Sequence, residues 1–370
     1  MLTTRIYRFL VIVSSVLIGG LGQQLRLVNI VFRHGDRAPL TADGETFPTS
    51  PYLTSNFPPY GPSQLTNKGR KRAYELGIHI RNQYDQFLGD FYYPPHIIAR
   101  SSNTDRTKMS LQLVMAGIFP PVNDQKWNPK LNWQPVVVNY ETSPDPLLNP
   151  FNCTKYKEEL EMVENSLDVQ EEKLRYKDLL KNLTEWTGKS FTTGQDYENL
   201  YSYLTALYSM ELPLPNWTRG IFPEGGVKEL ALLNLRIKSY TQRLKTLNGG
   251  MILRNFTGNM QNAIDETEPN AKMVLLSGHD ENIAGLLITL GVFESDHPQY
   301  SSAIFMELLG IPAERTRIII PGCNELCPFK KFVQLYSQLI PSEEDMKCII
   351  GKSLNENHNE LSRRKRLRNI

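Results

Sequence analysis

The sequence predicts an α/β protein, a mixed-sheet α/β sandwich interrupted by a helical cap, and three observations support this. Short apolar segments rich in β-branched residues alternate with helical patterns in residues 23–150 and again in 251–350. Residues 151–250 instead carry Glu, Lys, Leu and Tyr at helical spacing, without a convincing strand. With 370 residues, 40% of them hydrophobic, the chain can build one large domain or two of ordinary size.

The individual elements follow from local patterns. Residues 25–32 (LRLVNIVF) are short, apolar and β-branched, which is typical of a buried strand. A loop rich in Pro, Gly, Ser and Thr covers 41–63, and Thr66 is placed to cap an amphipathic helix that runs to about residue 87. The same criteria predict strands at 96–99, 136–140 and 272–276, and helices at 103–118, 251–266 and 281–290.

The first 22 residues have the pattern of a secretory signal peptide. Arg5 and Arg8 form a basic region, 9–18 form an apolar stretch, and Gly20 and Gly22 stand where small residues precede a cleavage site. An N-terminal signal anchor is the alternative, although the apolar run is short for a membrane span. We therefore expect a secreted, extracellular protein without a membrane span in its mature form, with a lysosome or a secretory granule as alternative destinations.

The net charge of +2 conceals an acidic body with basic ends. The chain has 41 Lys and Arg against 39 Asp and Glu, but seven basic residues lie in the leader and in 362–370, where there is no acid. The remaining 34 basic residues are outnumbered, which excludes a nucleic-acid-binding function. The basic tail, 351–370, is predicted to be a disordered end, and cleavage near Arg366 by a secretory convertase is the alternative.

Sequons and cysteines agree with export. Four N-glycosylation acceptors occur, at Asn152, Asn182, Asn216 and Asn255. Four cysteines allow three pairings, and we expect structural disulfides because no His or second Cys pair lies near Cys323 and Cys327 at zinc spacing.

Two motifs at predicted strand ends contain residue types suited to phosphate binding and proton transfer. The first strand runs into Arg33-His-Gly-Asp-Arg-Ala-Pro39, and strand 272–276 runs into Ser277-Gly-His-Asp280, while Arg100 ends the strand between them in sequence. Arginine forks match phosphate oxygens, and a histidine among arginines tends to stay neutral and nucleophilic. An aspartate beside a bound phosphate dianion gains a raised pKa, which suits a general acid.

These motifs resemble those of the histidine acid phosphatases, over residues 25–341. The segments Trp127-Asn-Pro, Trp133-Gln-Pro and Pro321-Gly-Cys-Asn-Glu-Leu-Cys-Pro328 are similar to the prostatic and lysosomal branch, and the leader, sequons and tail look most like a venom acid phosphatase of stinging insects. The resemblance implies a phosphoglycerate-mutase-like α/β fold, with 23–150 and 251–350 as the catalytic domain and 151–250 as the cap.

The resemblance also implies roles for individual residues. His34 would attack phosphorus and form a phosphohistidine, Asp280 would protonate the leaving alcohol, and His279 would hydrogen-bond the transferring group. The phosphate would be held by Arg33, Arg37 and Arg100, without a metal or a cofactor.

Further expectations concern covalent links and partners. The resemblance implies the disulfides Cys153–Cys348 and Cys323–Cys327, and a homodimer in which 127–140 is the region to examine. Small phosphomonoesters are the expected substrates. Five residues, Arg106, His79, His96, His297 and His358, are expected to be structural.

Several alternatives remain open. Phytase-like or lysophosphatidate-type phosphatase specificity, a mutase-like or bisphosphatase-like relative, and a non-catalytic secreted binding protein are each compatible with part of the pattern.

One departure from the family also bears on stability and activity: only residues 310–317 separate Leu309 from Ile318, where relatives carry a further strand. We therefore predict a shortened variant with an unpaired sheet edge, less stable or more aggregation-prone than a full-length relative, in which 318–320 fill part of the gap; a catalytically impaired variant is the alternative.

Overall fold

A seven-stranded mixed sheet forms the centre of the computed structural model, which describes residues 6–12, 25–41, 44–267, 271–310, 320–323 and 327–348. The strands are β1 (Ile6–Ile12), β2 (Leu25–Arg33), β3 (Ile97–Ser101), β4 (Asn139–Tyr140), β5 (Met273–Gly278), β6 (Ala303–Leu309) and β7 (Cys327–Pro328). Their order across the sheet is β4-β3-β5-β2-β6-β1-β7. The predicted α/β fold is confirmed.

Helices cover the sheet and form the cap. They are α1 (Asn67–Leu88), α2 (Asp105–Ile118), α3 (Thr154–Glu164), α4 (Leu167–Leu174), α5 (Lys177–Thr187), α6 (Gly194–Ser209), α7 (Gly226–Ile237), α8 (Gln242–Leu247), α9 (Gly249–Asp265), α10 (Asp280–Thr289), α11 (Phe329–Tyr336) and α12 (Glu343–Met346). The predicted cap on α1 is present, because the Thr66 side chain accepts a hydrogen bond from the Gly69 amide.

The central strands are buried on both faces, which explains why β2 reads as a nearly continuous apolar run. Val28, Ile30 and Phe32 face one core, beneath α1 and α2. Leu27 and Val31 face the other core, together with residues of α9 and α10. Because β2 is parallel to β5, and β5 to β3, the carboxyl ends of all three strands meet at one edge.

The strand predicted at 136–140 is largely wrong. Only Asn139 and Tyr140 pair with β3, and both are exposed at the edge of the sheet. Three valines made this segment look like a strand, but two of them, Val136 and Val138, pack against the core below α1 and α2 without forming a ladder.

The cap has a core of its own. Residues of α5, α6 and α7 pack together with Phe47 and Phe57 from the loop that follows the first motif. Leu233 and Ile237, nearer the end of α7, join the main core instead. The predicted cap region is therefore attached to the catalytic part through α3, α4, α7 and α8 as well as through that loop.

The sheet position beside β6 is occupied by residues predicted as the leader. β1 pairs with β6 in parallel, from Ile6 opposite Ala303 to Ile12 opposite Leu309. The expectation of an unpaired edge at β6 is therefore wrong for the chain with its first residues present, because a distant segment supplies the partner. Residues 318 and 319 lie outside the described residues, and Ile320 is buried.

The cysteines and sequons can be located. The disulfides Cys153–Cys348 and Cys323–Cys327 are both present, as expected. The acceptors Asn152, Asn182 and Asn216 are exposed, and Asn255 is half-buried within α9. None of the described helices is long and apolar enough to cross a membrane. The basic tail lies outside the described residues.

Candidate active site

A cavity of about 410 Å³ opens at the carboxyl ends of β2 and β5. The two motifs meet there, as expected for neighbouring parallel strands. The charged and histidine side chains that line it are Arg33, His34, Arg37, Glu45, Arg106, Glu198, His279, Asp280 and Glu281.

His34 presents its Nε2 as an unprotonated nitrogen. Its Nδ1 lies 2.8 Å from the Gly35 carbonyl oxygen, to which it donates, and its Nε2 accepts from Arg106 Nε at 3.2 Å. Burial, followed by the charges of Arg106, His279, Arg33 and Arg37, lowers the pKa of His34 well below 6.5. The imidazole is therefore neutral and has its lone pair in the cavity.

Backbone packing around Gly35 fixes this histidine. A Cβ on Gly35 would lie 2.3 Å from the Gly69 carbonyl oxygen at the start of α1, so a larger residue would push the motif away from the helix. The Gly35 amide donates to Ser110 Oγ at 3.0 Å. Asp36, fully buried, pairs with Arg72 at 3.2 Å. The motif aspartate is thus a structural anchor.

Two arginines of the first motif are oriented by acids. Arg37 forms a two-pronged ion pair with Glu45, whose Oε2 also accepts from the Leu40 amide at 2.8 Å. Arg33 Nη2 lies 2.7 Å from Asp280 Oδ2, and its guanidinium stacks over the Tyr300 ring at 4.3 Å. Such pairing holds each guanidinium at the cavity wall.

Arg106 is a site residue that the sequence analysis assigned to structure. It is the second residue of α2, donates from Nη1 to Ser63 Oγ at 2.8 Å, and contacts His34. Burial and the nearby charge of Arg37 lower the pKa of Arg106 to about 10. At any acidic or neutral pH it is a cation beside His34, at the N-terminus of a helix, where anions are favoured.

The assignment of Arg100 to the phosphate site is not supported by its position. β3 continues to Ser101, so Arg100 lies inside the strand and its side chain points to a face of the sheet. Its guanidinium binds Glu141 at 2.9 Å and also Asp145. It lines a separate cavity of about 310 Å³. Arg106 therefore replaces Arg100 as the third arginine of the site.

The second motif supplies a neutral histidine and an ionised aspartate. His279 Nε2 lies 2.9 Å from Ser102 Oγ, and burial together with the charge of Arg106 lowers the pKa of His279 to about 3. Asp280 begins α10 and accepts from the Glu281 amide at 3.0 Å. Burial alone would raise the pKa of Asp280, but Arg33 and then His297 hold it well below its usual range.

One group of metal-ligating side chains occurs in the part of the chain that the structure describes. Ligand atoms of Glu198, Asp280 and His297 lie within 4.8 Å of one another. Arg33 already binds the Asp280 oxygen, and Lys238 forms a buried ion pair with Glu281 close by. Arg33 compensates Asp280 and Lys238 compensates Glu281, so we describe the group as a charge network.

The arrangement suits a phosphoryl group. Three guanidinium groups, of Arg33, Arg37 and Arg106, line the same cavity as an imidazole whose unprotonated nitrogen accepts from Arg106. A carboxyl group, that of Asp280, lies beside them. The family comparison agrees: residues 24–319 match the model described as "Histidine phosphatase superfamily (branch 2)". The chain belongs to this superfamily.

Individual proteins similar to this histidine phosphatase include acid phosphatases and a phytase of known structure. It is 40% identical to venom acid phosphatase Acph-1 of Apis mellifera, over 95% of this chain and 94% of that relative. It is 34% identical to prostatic acid phosphatase of Bos taurus, over 89% and 88%. Hafnia alvei phytase in complex with myo-inositol hexakis sulphate superposes with a TM-score of 0.61 at 18% identity, covering 87% of this chain and 98% of that chain, which supports the fold alone.

Proposed function

We propose that this phosphoric monoester hydrolase, an acid phosphatase, transfers phosphate first to His34 and then to water. His34 Nε2 attacks phosphorus while the bond to the leaving oxygen breaks and Asp280 donates a proton to that oxygen. In the second step Asp280 accepts a proton from water as the water attacks the phosphohistidine. Arg33, Arg37 and Arg106 neutralise the oxygens of the transferring group.

The observation that carries the proposal is the state of His34. Its Nδ1 is held by the Gly35 carbonyl and its Nε2 faces three guanidinium groups. Burial, and after it the charge of Arg106, hold the pKa of His34 well below its ordinary value, so Nε2 resists protonation in acid better than an exposed histidine does. This allows a histidine nucleophile to work in acid.

Acidic conditions are also needed to supply the proton that Asp280 donates to the leaving oxygen. Asp280 is ionised in the free site, because Arg33 lies 2.7 Å away. A phosphate monoester has a second pKa of about 6, so below that pH it binds as a monoanion and brings a proton that Asp280 can hold. As the phosphate shares Arg33, the pKa of Asp280 rises. We expect greatest activity at about pH 4 to 6.

The cavity favours a leaving group without further phosphates. Besides the three arginines, its charged lining consists of carboxylates, and the neighbouring Lys238 is engaged by Glu281 and by Gln195 at 2.9 Å. A polyphosphorylated leaving group would meet Glu198 and Glu281 rather than a free cation. This supports simple phosphomonoesters over the phytase-like alternative.

Secretion and glycosylation remain part of the proposal. The leader pattern, the four sequons and two disulfides in a chain with no free cysteine are what an oxidising compartment favours. For a homodimer, the exposed Trp127, Trp133 and Val137 beside edge strand β4 are the supporting surface.

Hydrolysis of p-nitrophenyl phosphate at pH 5, with His34→Ala as the matched variant, tests the function. We expect an active wild type and a variant with neither turnover nor an acid-labile phosphoenzyme after quenching. A wild type that needs added divalent metal, or an active His34→Ala variant, would refute the mechanism.

A further inference from the structure

A buried histidine stands behind the proposed acid. His297 is 2% exposed and Glu198 is 4% exposed. His297 Nε2 lies 2.9 Å from Glu198 Oε1 and 4.0 Å from Asp280 Oδ2. Its ring packs against Tyr201 with 4.6 Å between the ring centroids. One ring nitrogen therefore faces two carboxylates, which is an unusual environment for a histidine with a merely structural role.

Asp280 needs such a neighbour because its first partner is shared. Arg33 binds Asp280 Oδ2 in the free site, and the same arginine is proposed to bind the substrate phosphate. Once phosphate is bound and Asp280 has given up its proton, a buried carboxylate remains whose cation is already engaged. A buried carboxylate without a compensating donor is costly.

His297 is placed to compensate for it. A movement of about 1 Å would bring Nε2 from 4.0 Å to hydrogen-bond distance of Asp280. Glu198 Oε1 accepts from the same nitrogen, which keeps a proton on it, while Glu198 Oε2 has no hydrogen-bond partner among the described residues and leaves this carboxylate free to follow a shift.

We propose that His297, held by Glu198, is a positioning residue for Asp280: its Nε2–H stabilises the Asp280 carboxylate each time the acid has released its proton. The inference rests on the role proposed above for Asp280. It does not make His297 a catalytic residue, since its effect on substrate passes through Asp280.

The surroundings determine the sign of the expected pH effect. The charged and titratable groups facing Asp280 and His297 are Arg33, Arg37, Arg106, Glu198, Tyr201, Lys238, His279 and Glu281. After burial and Arg33, His297 is the next influence on the pKa of Asp280, and it lowers that pKa. Its removal should raise the pKa of Asp280 and keep the acid protonated to higher pH.

The first test is the pH profile of His297→Gln. We expect the alkaline limb of kcat to move up by about 1 pH unit, since the replacement removes a neighbour that lowers the pKa of Asp280. At pH 5, kcat for an alkyl phosphate, whose leaving group needs the proton of Asp280, should fall about tenfold while KM stays within about twofold, because the arginines are untouched. His96→Gln is the matched control, since His96 lies before β3, at the opposite end of the sheet. An alkaline limb that does not move would overturn the inference.

The second test is a double-mutant cycle with Asp280→Asn. If His297 acts through Asp280, adding His297→Gln to Asp280→Asn should change kcat by less than about twofold. A full tenfold further loss would mean that His297 acts elsewhere. Should His297→Gln fail to fold by thermal melting, Glu198→Gln takes its place in the same cycle, with the same expected loss of additivity.

The two proposals fail differently. An inactive wild type overturns both the proposed function and this inference. An active wild type with an inactive His34→Ala variant, but an additive cycle at His297, overturns this inference alone.

Discussion

The carboxyl ends of β2 and β5 differ from the β6 side of the same sheet in how they are held together. In the cavity, charged groups are paired across elements: Arg37 with Glu45 from the following loop, and Arg33 with Asp280 on α10. At β6 backbone ladders hold the sheet together, antiparallel with β2 on one side and parallel with the distant strand β1 on the other. No residue of β6 lines the cavity, so we expect activity and stability to respond to different substitutions.

The largest expected difference in activity is between replacing Arg106 and replacing Arg100. Arg106→Ala should lower kcat for p-nitrophenyl phosphate by about 10² to 10³, because it removes a guanidinium beside His34. Arg100→Ala should lower kcat by less than about threefold, since Arg100 binds Glu141 and Asp145 outside the cavity. Steady-state kinetics at pH 5 measures both. A larger loss for Arg100→Ala would restore the assignment made from sequence.

Replacing Asp280 should slow the reaction by an amount that depends on whether the leaving group needs a proton. Asp280→Asn should slow hydrolysis of an alkyl phosphate by about 10² or more, and that of p-nitrophenyl phosphate much less, because nitrophenolate leaves without a proton. Inorganic phosphate should inhibit both forms with similar strength, as the arginines remain. Equal losses for the two esters would contradict the acid role.

A stability change without an activity change is expected at the long-range disulfide. Cys153→Ser with Cys348→Ser opens a link between residues 195 positions apart, and should lower the free energy of unfolding by about 2 to 5 kcal/mol. Urea unfolding followed by fluorescence measures the change. The kcat of the folded fraction should match the wild type, since neither cysteine lines the cavity.

Removing or interrupting β1 tests whether its pairing with β6 stabilises the fold. A chain that starts at Gln23 leaves β6 without β1, and we expect a melting midpoint lower by about 2 to 5 °C and concentration-dependent association. Arg8→Pro in the full chain is a companion variant expected to act in the same direction, because proline is poorly tolerated in the middle of a paired strand and the length is kept. Unchanged melting in both would show that the pairing does not stabilise the fold.

The smallest effect concerns glycan occupancy. Asn182 is exposed on α5, whereas Asn255 is half-buried in α9 and its side-chain oxygen accepts from Asn259 at 3.1 Å. We expect lower occupancy at Asn255 than at Asn182 when the protein is expressed in insect cells. Mass spectrometry of tryptic peptides after glycosidase treatment in heavy-oxygen water gives the ratio, and equal occupancy would contradict the expectation.

Much of the site could be predicted because its residues are covalent neighbours of strand ends. The run 25–32 predicted β2, and Arg33, His34 and Arg37 follow it along the chain, so they had to lie at its carboxyl end. The same reasoning placed His279 and Asp280 after β5. The sequence itself therefore determined that two histidines, two arginines and an aspartate lie together at this edge of the sheet.

Only the tertiary structure shows which distant residues are in contact, because the local sequence does not predict such contacts. A difference of two residues in the end of β3 turned Arg100 onto a face of the sheet and left Arg106 to reach His34 from α2. Glu198 and His297, 99 positions apart, meet only because the cap folds over the acid. β1 beside β6 is likewise a pairing of distant segments. Side-chain direction depends on exact strand register, and long-range pairs depend on packing, so neither can be read from neighbours along the chain.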